Sequence, residues 1–269
     1  MPTPDDHLLA ADLAGRAGEL LLALRARGGD PATLRNAGDK QSHEFLMTEL
    51  ATERPDDVVL SEEGSDDKAR LRAERVWIVD PLDGTREFGD PDRGDWAVHV
   101  ALWARTGPAE SGGLIAGAVA LPAQGRVLST AAPVKVAEGG ADRPLRLVVS
   151  RTRASELVKS VAALIDAELV PCGSAGAKVA TVVSGENDVY LHSGGFYEWD
   201  TAAPAAVAVA SGFHVSRIDG SPVAYNREDP LLPDILVCRP AIAGLLLSAV
   251  EKVSAVKNVT ASREAKHAI

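Results

Sequence analysis

The apolar positions of the chain change their spacing along its length, and each spacing predicts a different kind of element. At 5–28 they recur at helical intervals, which predicts a first helix with a wide apolar stripe, ended by a glycine pair. Residues 32–38 look extended, and a second helix is predicted over 40–52. A short strand at 58–60 and a charged, helical piece at 65–74 are predicted to follow.

Four consecutive apolar residues at 76–79 predict a short buried strand, around which the first half is organised. Pro81 has no N–H to donate, so the strand is expected to end at Asp80, and Gly84 permits a tight reversal after it. The turn therefore carries Asp80 and Asp83 at the carboxyl end of a buried strand. Open α/β sheets hold their ligands at such strand ends.

The middle of the chain has the pattern of antiparallel strands, whereas the last part alternates between strands and helices. Proline and glycine residues at 131–144 separate the two regions, so we expect an N-terminal α+β half, residues 1–135, and a C-terminal α/β half, residues 136–269. The predicted fold class is α/β, of the α+β type. The predicted strands are 96–103, 114–121, 126–130, 145–150, 168–170, 188–192 and 234–238, and the predicted later helices are 154–167, 175–184, 200–211 and 241–255.

The net charge of −10 at pH 7 argues against binding to nucleic acids or to anionic membranes. A small anionic substrate stays compatible with it, because bound cations can make a site locally positive. Only two cysteines are present, Cys172 and Cys238, which fits a reducing cytoplasm, and the acidic amino terminus lacks the apolar core of a signal peptide. No apolar run approaches about 18 residues, so no transmembrane helix is expected.

Acidic residues stand at the ends of several apolar elements. Asp39 precedes the predicted second helix, and Asp200 opens a later helix that is almost wholly apolar. Glu62 and Glu63 follow a strand. Each has an ordinary explanation, because Asp39 and Asp200 could cap helices and the two glutamates could lie in a solvated loop. Element ends can also converge on one crevice, so the two explanations compete.

Carboxylates that converge in this way need a partner. Two carboxylates ~4–5 Å apart repel by roughly 3–4 kcal/mol at an effective dielectric constant of about 20. Several such pairs must therefore take up protons or bind cations. A set of oxygen ligands suits Mg²⁺, or Mn²⁺, rather than zinc, and Mg²⁺ favours substrates that supply phosphate oxygens. The expected cofactor is accordingly Mg²⁺, with Mn²⁺ as the alternative.

The order of these motifs resembles the inositol monophosphatase family of metal-dependent, lithium-sensitive phosphomonoesterases. The stretches that carry the resemblance are Asp39, Ser61-Glu62-Glu63, Trp77-Ile78-Val79-Asp80-Pro81-Leu82-Asp83-Gly84-Thr85 and Trp199-Asp200. Together they cover nearly the whole chain. The resemblance implies a layered α-β-α-β-α fold and a homodimer.

The resemblance also implies a role for each residue of these motifs. The implied ligands of two or three Mg²⁺ ions are Glu62, Asp80, the carbonyl of Leu82, Asp83 and Asp200. Asp80 would bridge the first two ions, and the third would contact Glu62 through water. Asp39 would accept a hydrogen bond from the Thr85 hydroxyl, which orients the attacking water. The ions would activate that water and stabilise the leaving oxygen. Gly84 and Thr85 would offer backbone N–H groups to the phosphate.

Within the family, Arg86-Glu87-Phe88 resembles the branch that hydrolyses the 3′-phosphate of 3′-phosphoadenosine 5′-phosphate, a step of sulfate assimilation. Arg86 is then a candidate donor to the second phosphate, with a plain surface arginine as the alternative. Gly173, Ser174 and Lys178 stand where the family contacts the rest of the substrate, although capping and solvation explain them equally well. Four further residues, His192, Trp96, His99 and Trp103, are expected to be structural, His192 with a smaller chance of touching substrate.

Other functions stay open from the sequence. Inositol-1-phosphatase or fructose 1,6-bisphosphatase activity remains within the same family. A haloacid-dehalogenase-type phosphatase fits less well, because its two aspartates stand two apart and Asp80 and Asp83 are three apart. A catalytically silent nucleotide-binding regulator is an alternative from another class. A P-loop and a serine-hydrolase elbow are both missing from the sequence.

Overall fold

The structure, a computed structural model, describes residues 4–106, 112–135, 143–152 and 154–267, with side chains as far as residue 256. The helices are α1 (Pro4–Ala26), α2 (Pro31–Glu53), α3 (Thr85–Phe88), α4 (Glu156–Leu164), α5 (Ala175–Val183), α6 (Glu198–Ala210) and α7 (Pro240–His267). The strands are β1 (Val58–Ser61), β2 (Arg75–Asp83), β3 (Ala97–Arg105), β4 (Gly112–Leu121), β5 (Arg126–Ser129), β6 (Arg146–Ser150), β7 (Glu168–Cys172), β8 (Val189–Tyr197), β9 (His214–Ser216) and β10 (Leu231–Cys238).

The strands form two five-stranded sheets. The first has the order β1-β2-β3-β4-β5, and its pairs are antiparallel except for β1 with β2. The second has the order β7-β6-β8-β10-β9, in which β6 runs parallel to both β7 and β8. The carboxyl ends of β6 and β7 therefore lie side by side at one edge of the second sheet.

Three hydrophobic cores separate five layers. One core lies between the first sheet and the pair α1 and α2. A second lies between the two sheets and encloses α5 and α6. The third joins the second sheet to α4 and α7. The predicted α-β-α-β-α layering is thus confirmed, with the alanine- and valine-rich helices in the middle layer.

The prediction for residues 32–38 was wrong, because α2 begins at Pro31 and already includes them. Asp30 caps this helix by accepting a hydrogen bond from the Thr33 N–H at 2.9 Å, and proline is favoured at the first helical position. Asp39 consequently lies inside α2 rather than at its start, so it is not a helix cap. Gly38 is needed in the same turn, since a Cβ there would stand 2.7 Å from the Phe88 ring.

Two smaller predictions also need correction, and one strand was not predicted. Strand β2 does not end at Asp80 but continues to Asp83, with its pairing to β3 shifted between these two residues. The charged piece at 65–74 contains only a short 3-10 helix, Lys68–Arg72. Strand β9 was not predicted at all, because three residues carry too short an alternating pattern.

Two further points bear on organisation. The predicted boundary between residues 135 and 136 borders residues 136–142, which lie outside the described part, and it stays a prediction. Among the described helices, none combines the length and the apolar character that crossing a bilayer requires.

Candidate active site

A cavity of about 520 Å³ opens where the carboxyl ends of β2, β6 and β7 meet the start of α6. The sequence-predicted residues that line this pocket are Glu62, Asp80, Leu82, Asp83, Gly84, Thr85, Arg86, Gly173, Ser174, Lys178 and Asp200. Asp39 stands just behind the lining, in contact with Thr85. Residues up to about 160 positions apart in the chain, from Asp39 to Asp200, are therefore gathered around one cavity.

The end of β2 fixes the two central aspartates. The shift in strand pairing at Pro81 lets the buried Asp80 accept a hydrogen bond from the Leu82 N–H at 3.0 Å. The Ser42 hydroxyl donates to the Pro81 carbonyl at 2.7 Å and ties this turn to α2. Asp83 accepts from the N–H of Gly176, in the first turn of α5, at 2.8 Å. Backbone N–H groups thus hold both carboxylates in place.

The reversal after β2 brings Thr85 against Asp39. Gly84 has φ +86°, a left-handed conformation that glycine adopts without strain. The Thr85 hydroxyl lies 3.3 Å from Asp39 Oδ1 and 3.1 Å from the carbonyl oxygen of Leu82, either of which can accept its proton. The hydroxyl oxygen keeps acceptor capacity on its pocket side.

Asp200 enters the pocket from the first turn of α6. Its carboxylate accepts a hydrogen bond from the Tyr197 N–H at 2.6 Å, so it closes the helix start as a capping residue does. It also lines the pocket, so the capping explanation and the functional one hold together for this residue.

The start of α6 is anchored by a buried polar network on its other side. Glu198, fully buried, accepts from the N–H groups of Asn226 and Arg227 at 2.7 and 2.8 Å. The Asn226 side chain accepts from fully buried Arg70 at 2.8 Å, and Arg70 is paired with Asp66 at 2.6 Å. Residues from three distant stretches thereby fix the helix end that carries Asp200.

Burial and neighbouring negative charges raise the pKa values of two acidic residues of the pocket, Glu62 and Asp80. Loss of hydration, followed by the negative charges of Asp200, Asp83 and Glu63, raises the pKa of Glu62 to about 7, although a hydrogen bond with Asp80 works the other way. Burial, followed by the charges of Glu62, Asp83 and Asp200, raises the pKa of Asp80 well above its usual range. The four carboxylates therefore feel one another across a common space.

Asp39 is affected in the same direction. Burial, with the charge of Glu63, raises its pKa to about 6, and the hydrogen bond from Thr85 moderates the rise. The carboxylate is accordingly ionised at neutral pH and still basic enough to take a proton.

This donor set fits divalent cations. Carboxylates that raise one another's pKa values are stabilised by whichever positive charge enters between them. The ligands available are oxygens of Glu62, Asp80, Asp83, Asp200 and the Leu82 carbonyl, which is the chemistry that Mg²⁺ and Mn²⁺ prefer.

His99 is buried as expected, and it also contacts the acidic side chains of the pocket. Its fully buried ring stands 3.2 Å from Asp83 through Nε2 and 3.1 Å from the Trp199 carbonyl through Nδ1. One oxygen of Asp80, one of Asp83 and a ring nitrogen lie within 4.8 Å of one another. Strand pairing places His99 opposite Asp80, which is the signal that could have revealed it. Trp96 and Trp103 are buried in the cores as expected.

The position of His99 also explains why residue 176 is a glycine. A Cβ on Gly176 would stand 2.2 Å from His99 Nε2, so only glycine lets α5 approach this closely. Burial lowers the pKa of His99, and the ring is therefore neutral behind the aspartates.

Cationic side chains line the same pocket. Lys178 is buried, donates to the Gly173 carbonyl and lies 5.6 Å from the centre of the Tyr190 ring. Burial lowers its pKa. Arg86 is exposed at the rim. A third cation of the lining, Arg151, was not predicted from the sequence, and it pairs with Glu87.

Gly173 and Ser174 have structural tasks as well as a place in the lining. The Gly173 N–H donates to Asp95 at 2.6 Å, and a Cβ there would stand 2.5 Å from Glu87. The Ser174 hydroxyl caps α5 by accepting from the Ala177 N–H at 2.8 Å. The capping explanation for Ser174 is therefore correct, and a substrate contact is compatible with it because Ser174 also lines the pocket.

An aromatic wall completes the pocket. Tyr197, 46% exposed, stacks on Trp199 with ring centres 4.7 Å apart. His192 packs at 4.8 Å from the Phe196 ring, and all four line the cavity. Exposed aromatic faces in a pocket suit a planar ligand group.

Comparison with known proteins places this pocket among phosphatases. The inositol monophosphatase family matches residues 12–255. The 3′-phosphoadenosine 5′-phosphate phosphatase of Mycobacterium leprae is 49% identical, over 92% of this chain and 94% of the relative. The 3′(2′),5′-bisphosphate nucleotidase CysQ of Escherichia coli (strain K12) is 34% identical, over 73% of this chain and 81% of the relative.

A solved structure agrees with the fold. CysQ from Bacteroides thetaiotaomicron, described as a bacterial member of the inositol monophosphatase family, superimposes with a TM-score of 0.70 at 28% identity. The match covers 87% of this chain and 97% of that one.

Proposed function

Because this chain belongs to the inositol monophosphatase family, we propose that it hydrolyses the 3′-phosphate of 3′-phosphoadenosine 5′-phosphate, giving AMP and phosphate. The observation that carries the proposal is a single pocket lined by five carboxylates and by three cationic side chains, one of which, Arg151, pairs with Glu87. A substrate with two phosphates suits such a lining, because one phosphate can be bridged to carboxylates by cations while the other requires positive side chains.

Glu62, Asp80, the Leu82 carbonyl, Asp83 and Asp200 would hold the Mg²⁺ ions. When bound, such ions supply the positive charge that activates water and stabilises the leaving oxygen. The protein's own part is to fix the ligands, through the Gly176 N–H on Asp83 and the start of α6 under Asp200. His99, wedged behind Asp83, keeps that carboxylate from turning away.

Asp39 and Thr85 orient the attacking water. The Thr85 oxygen accepts a hydrogen bond from the water, and the Thr85 hydroxyl donates a hydrogen bond to Asp39 Oδ1. When the water gives up a proton to Thr85, the hydroxyl proton of Thr85 can pass to Asp39. Because the pKa of Asp39 is about 6, its carboxylate is ready to take that proton at neutral pH. The backbone N–H groups of Gly84 and Thr85, two residues of the pocket lining, would donate to the scissile phosphate.

The rest of the nucleotide occupies the other side. Arg86 and Lys178 contribute positive charge for the second phosphate, and Gly173 and Ser174 border the ribose. The exposed face of Tyr197 offers a stacking surface for the base.

Phosphate release tests this proposal, measured with and without Mg²⁺ on 3′-phosphoadenosine 5′-phosphate, inositol 1-phosphate and fructose 1,6-bisphosphate. We expect the highest kcat/KM on the nucleotide, and turnover only with the metal. Faster hydrolysis of either sugar phosphate would overturn the substrate assignment, and trapping of a phospho-aspartate would overturn the water-based mechanism.

Further features follow from the resemblance and belong to this proposal. Lithium is expected to inhibit by occupying one of the metal positions. A homodimer is expected, and the two buried, unpaired cysteines are compatible with a cytoplasmic location. The role of the chain in sulfate assimilation would be to remove the bisphosphorylated nucleotide.

A further inference from the structure

An ion pair joins the phosphate-binding turn to the second half of the protein. Arg151 follows the last residue of β6, and Glu87 lies in α3. The Nε and Nη2 atoms of Arg151 both donate to Glu87 Oε1, at 3.2 and 2.5 Å. Both residues line the pocket, so the pair forms part of its wall.

The geometry of this pair leaves Arg151 available to a ligand. A guanidinium has five N–H donors, and the pair with Glu87 uses two of them. Within the described residues, Arg151 makes no other hydrogen bond. Its side chain keeps 35% exposure, whereas that of Glu87 keeps 10%. The glutamate is thus the buried anchor and the arginine the exposed, oriented donor.

The other two cations of the pocket are less suited to direct recognition. Lys178 is only 4% exposed, and its ammonium group already donates a hydrogen bond to the Gly173 carbonyl. Arg86 is exposed and would lose side-chain freedom on binding, which weakens the contact. Arg151 is already ordered, and an arginine fork suits phosphate oxygens in a bidentate manner.

The position of Arg151 also fits. The last residue of β6, Ser150, pairs with Cys172 of β7, so Arg151 and Gly173 leave adjacent, parallel strand ends. Ligands of α/β sheets bind outside such ends. The candidate metal ligands enter the same cavity from the ends of β1 and β2 and from the start of α6, whereas Arg151 enters it from the end of β6.

We propose that Arg151, held in place by Glu87, binds the second, non-hydrolysed phosphate of the substrate and sets the preference for bisphosphorylated nucleotides. Arg151 acts by contact and Glu87 is a positioning residue. This inference rests on the proposed function, and it adds a specificity residue that the shared motifs do not include.

The test compares two substrates that differ only in the second phosphate, 3′-phosphoadenosine 5′-phosphate and adenosine 3′-monophosphate. In Arg151→Ala, the ratio of their kcat/KM values is expected to fall about tenfold or more, mainly through KM for the bisphosphate. Glu87→Gln is expected to lower the same ratio by a smaller factor. Arg151→Lys, which keeps the charge without the fork, should lie between the native protein and Arg151→Ala.

Product inhibition gives a second readout that does not depend on turnover of the bisphosphate. With adenosine 3′-monophosphate as substrate, Arg151→Ala should raise the inhibition constant of 5′-AMP about tenfold, because the 5′-phosphate loses its donor. The inhibition constant of inorganic phosphate should stay within about twofold, since that ion binds on the carboxylate side. If Arg151→Ala does not fold, Arg151→Gln replaces it.

A matched control is present on the same strand. Arg146, at the other end of β6, pairs with Glu168 at 3.2 Å and has a side chain 41% exposed. Arg146→Ala should leave the substrate ratio and both inhibition constants unchanged. Equal losses on both substrates in Arg151→Ala, or an unchanged ratio, would overturn the assignment of Arg151 alone. A native protein with no preference for the bisphosphate would overturn the proposed function as well.

Discussion

At the scale of single residues, the site shows how far side-chain chemistry can be predicted from a linear motif. Asp80, Asp83 and Thr85 could be placed near one another because they follow a buried apolar run closely, although β2 continues to Asp83 instead of ending at Asp80. His99 could not, because its meaning depends on which residue of a neighbouring strand it faces. The pair of Arg151 and Glu87 was missed for a related reason, since 64 positions separate its members.

The first residue-scale prediction concerns Thr85→Ala. The change removes the hydroxyl that lies 3.3 Å from Asp39 Oδ1, so water loses its orientation and kcat should fall about a hundredfold or more. Thermal unfolding should barely change, because Thr85 is only partly buried. Thr85→Ser is the control and should keep most of kcat. A kcat unaltered in Thr85→Ala would rule out the Asp39–Thr85 pair.

The second concerns Asp83→Asn, which keeps the shape but removes one negative charge. Apparent Mg²⁺ affinity should fall by more than the ~10–100-fold typical of losing an outer-sphere partner. The metal-free protein should become more stable, because Asp83 no longer repels Asp80 and Glu62. Asp12→Asn, on the exposed side of α1, serves as control in both assays. Unfolding temperatures that drop in the metal-free variant would contradict the repulsion argument.

At the scale of elements, strongly patterned helices and strands were predicted, and errors arose where two signals overlapped. Residues 32–38 were predicted to be extended, although Asp30 and Pro31 form a regular helix beginning and α2 includes them together with Gly38. That glycine serves packing against Phe88 instead. Strand β8 runs on to Tyr197, past the predicted end at 192, because its partner β10 extends equally far and keeps it paired.

The element-scale prediction concerns the anchor beneath α6. Glu198→Gln should weaken the hydrogen bonds to the Asn226 and Arg227 N–H groups and loosen the helix end that carries Asp200. We expect a several-fold higher Mg²⁺ requirement, measured as the shift of unfolding temperature with metal concentration, while KM at saturating metal changes little. Glu186→Gln, at an exposed site, is the control. If the metal requirement is unchanged while the variant is less stable, the network is only a scaffold.

At the scale of the whole molecule, the layered arrangement was predicted through the family resemblance and is confirmed by the three cores. Periodicity alone could give helices and strands but not their stacking, because the order of strands in a sheet depends on long-range pairing. The convergence of the motifs on one cavity follows from that stacking, since α6 is enclosed between the sheets and delivers Asp200 to the end of β2.

The molecule-scale prediction concerns pH and metal. Glu62 has a pKa of about 7 in the folded chain against 4.5 when unfolded, and the pKa of Asp80 is raised further. The folded state therefore binds more protons than the unfolded state, and stability must fall as pH rises through this range. Between pH 6.5 and about 8 the metal-free unfolding temperature should drop. His99 opposes this drop only near pH 6.5, because its unfolded imidazole is about half protonated there while burial keeps the folded ring neutral.

Mg²⁺ should cancel most of that drop, because cations replace the missing protons. Thermal unfolding in chelator and in Mg²⁺ at both pH values measures this effect. A gain of unfolding temperature from Mg²⁺ that is equal at pH 6.5 and at about pH 8 would contradict it. Carboxyls with lowered pKa values, such as Asp66 at about 2, titrate far below this window and do not interfere.

The tight contact between α6 and β4 links the position of Asp200 to the packing of the first sheet. Gly117 faces Ala206 so closely that a Cβ on the glycine would stand 2.8 Å from that of the alanine, and Ala206 lies about 9 Å along the axis from Asp200. A methyl group added at position 117 would push α6 away from β4 and shift the start of the helix, which carries Asp200. Substitutions in the contact between α6 and β4 can thus change the position of a candidate metal ligand without altering the pocket lining itself.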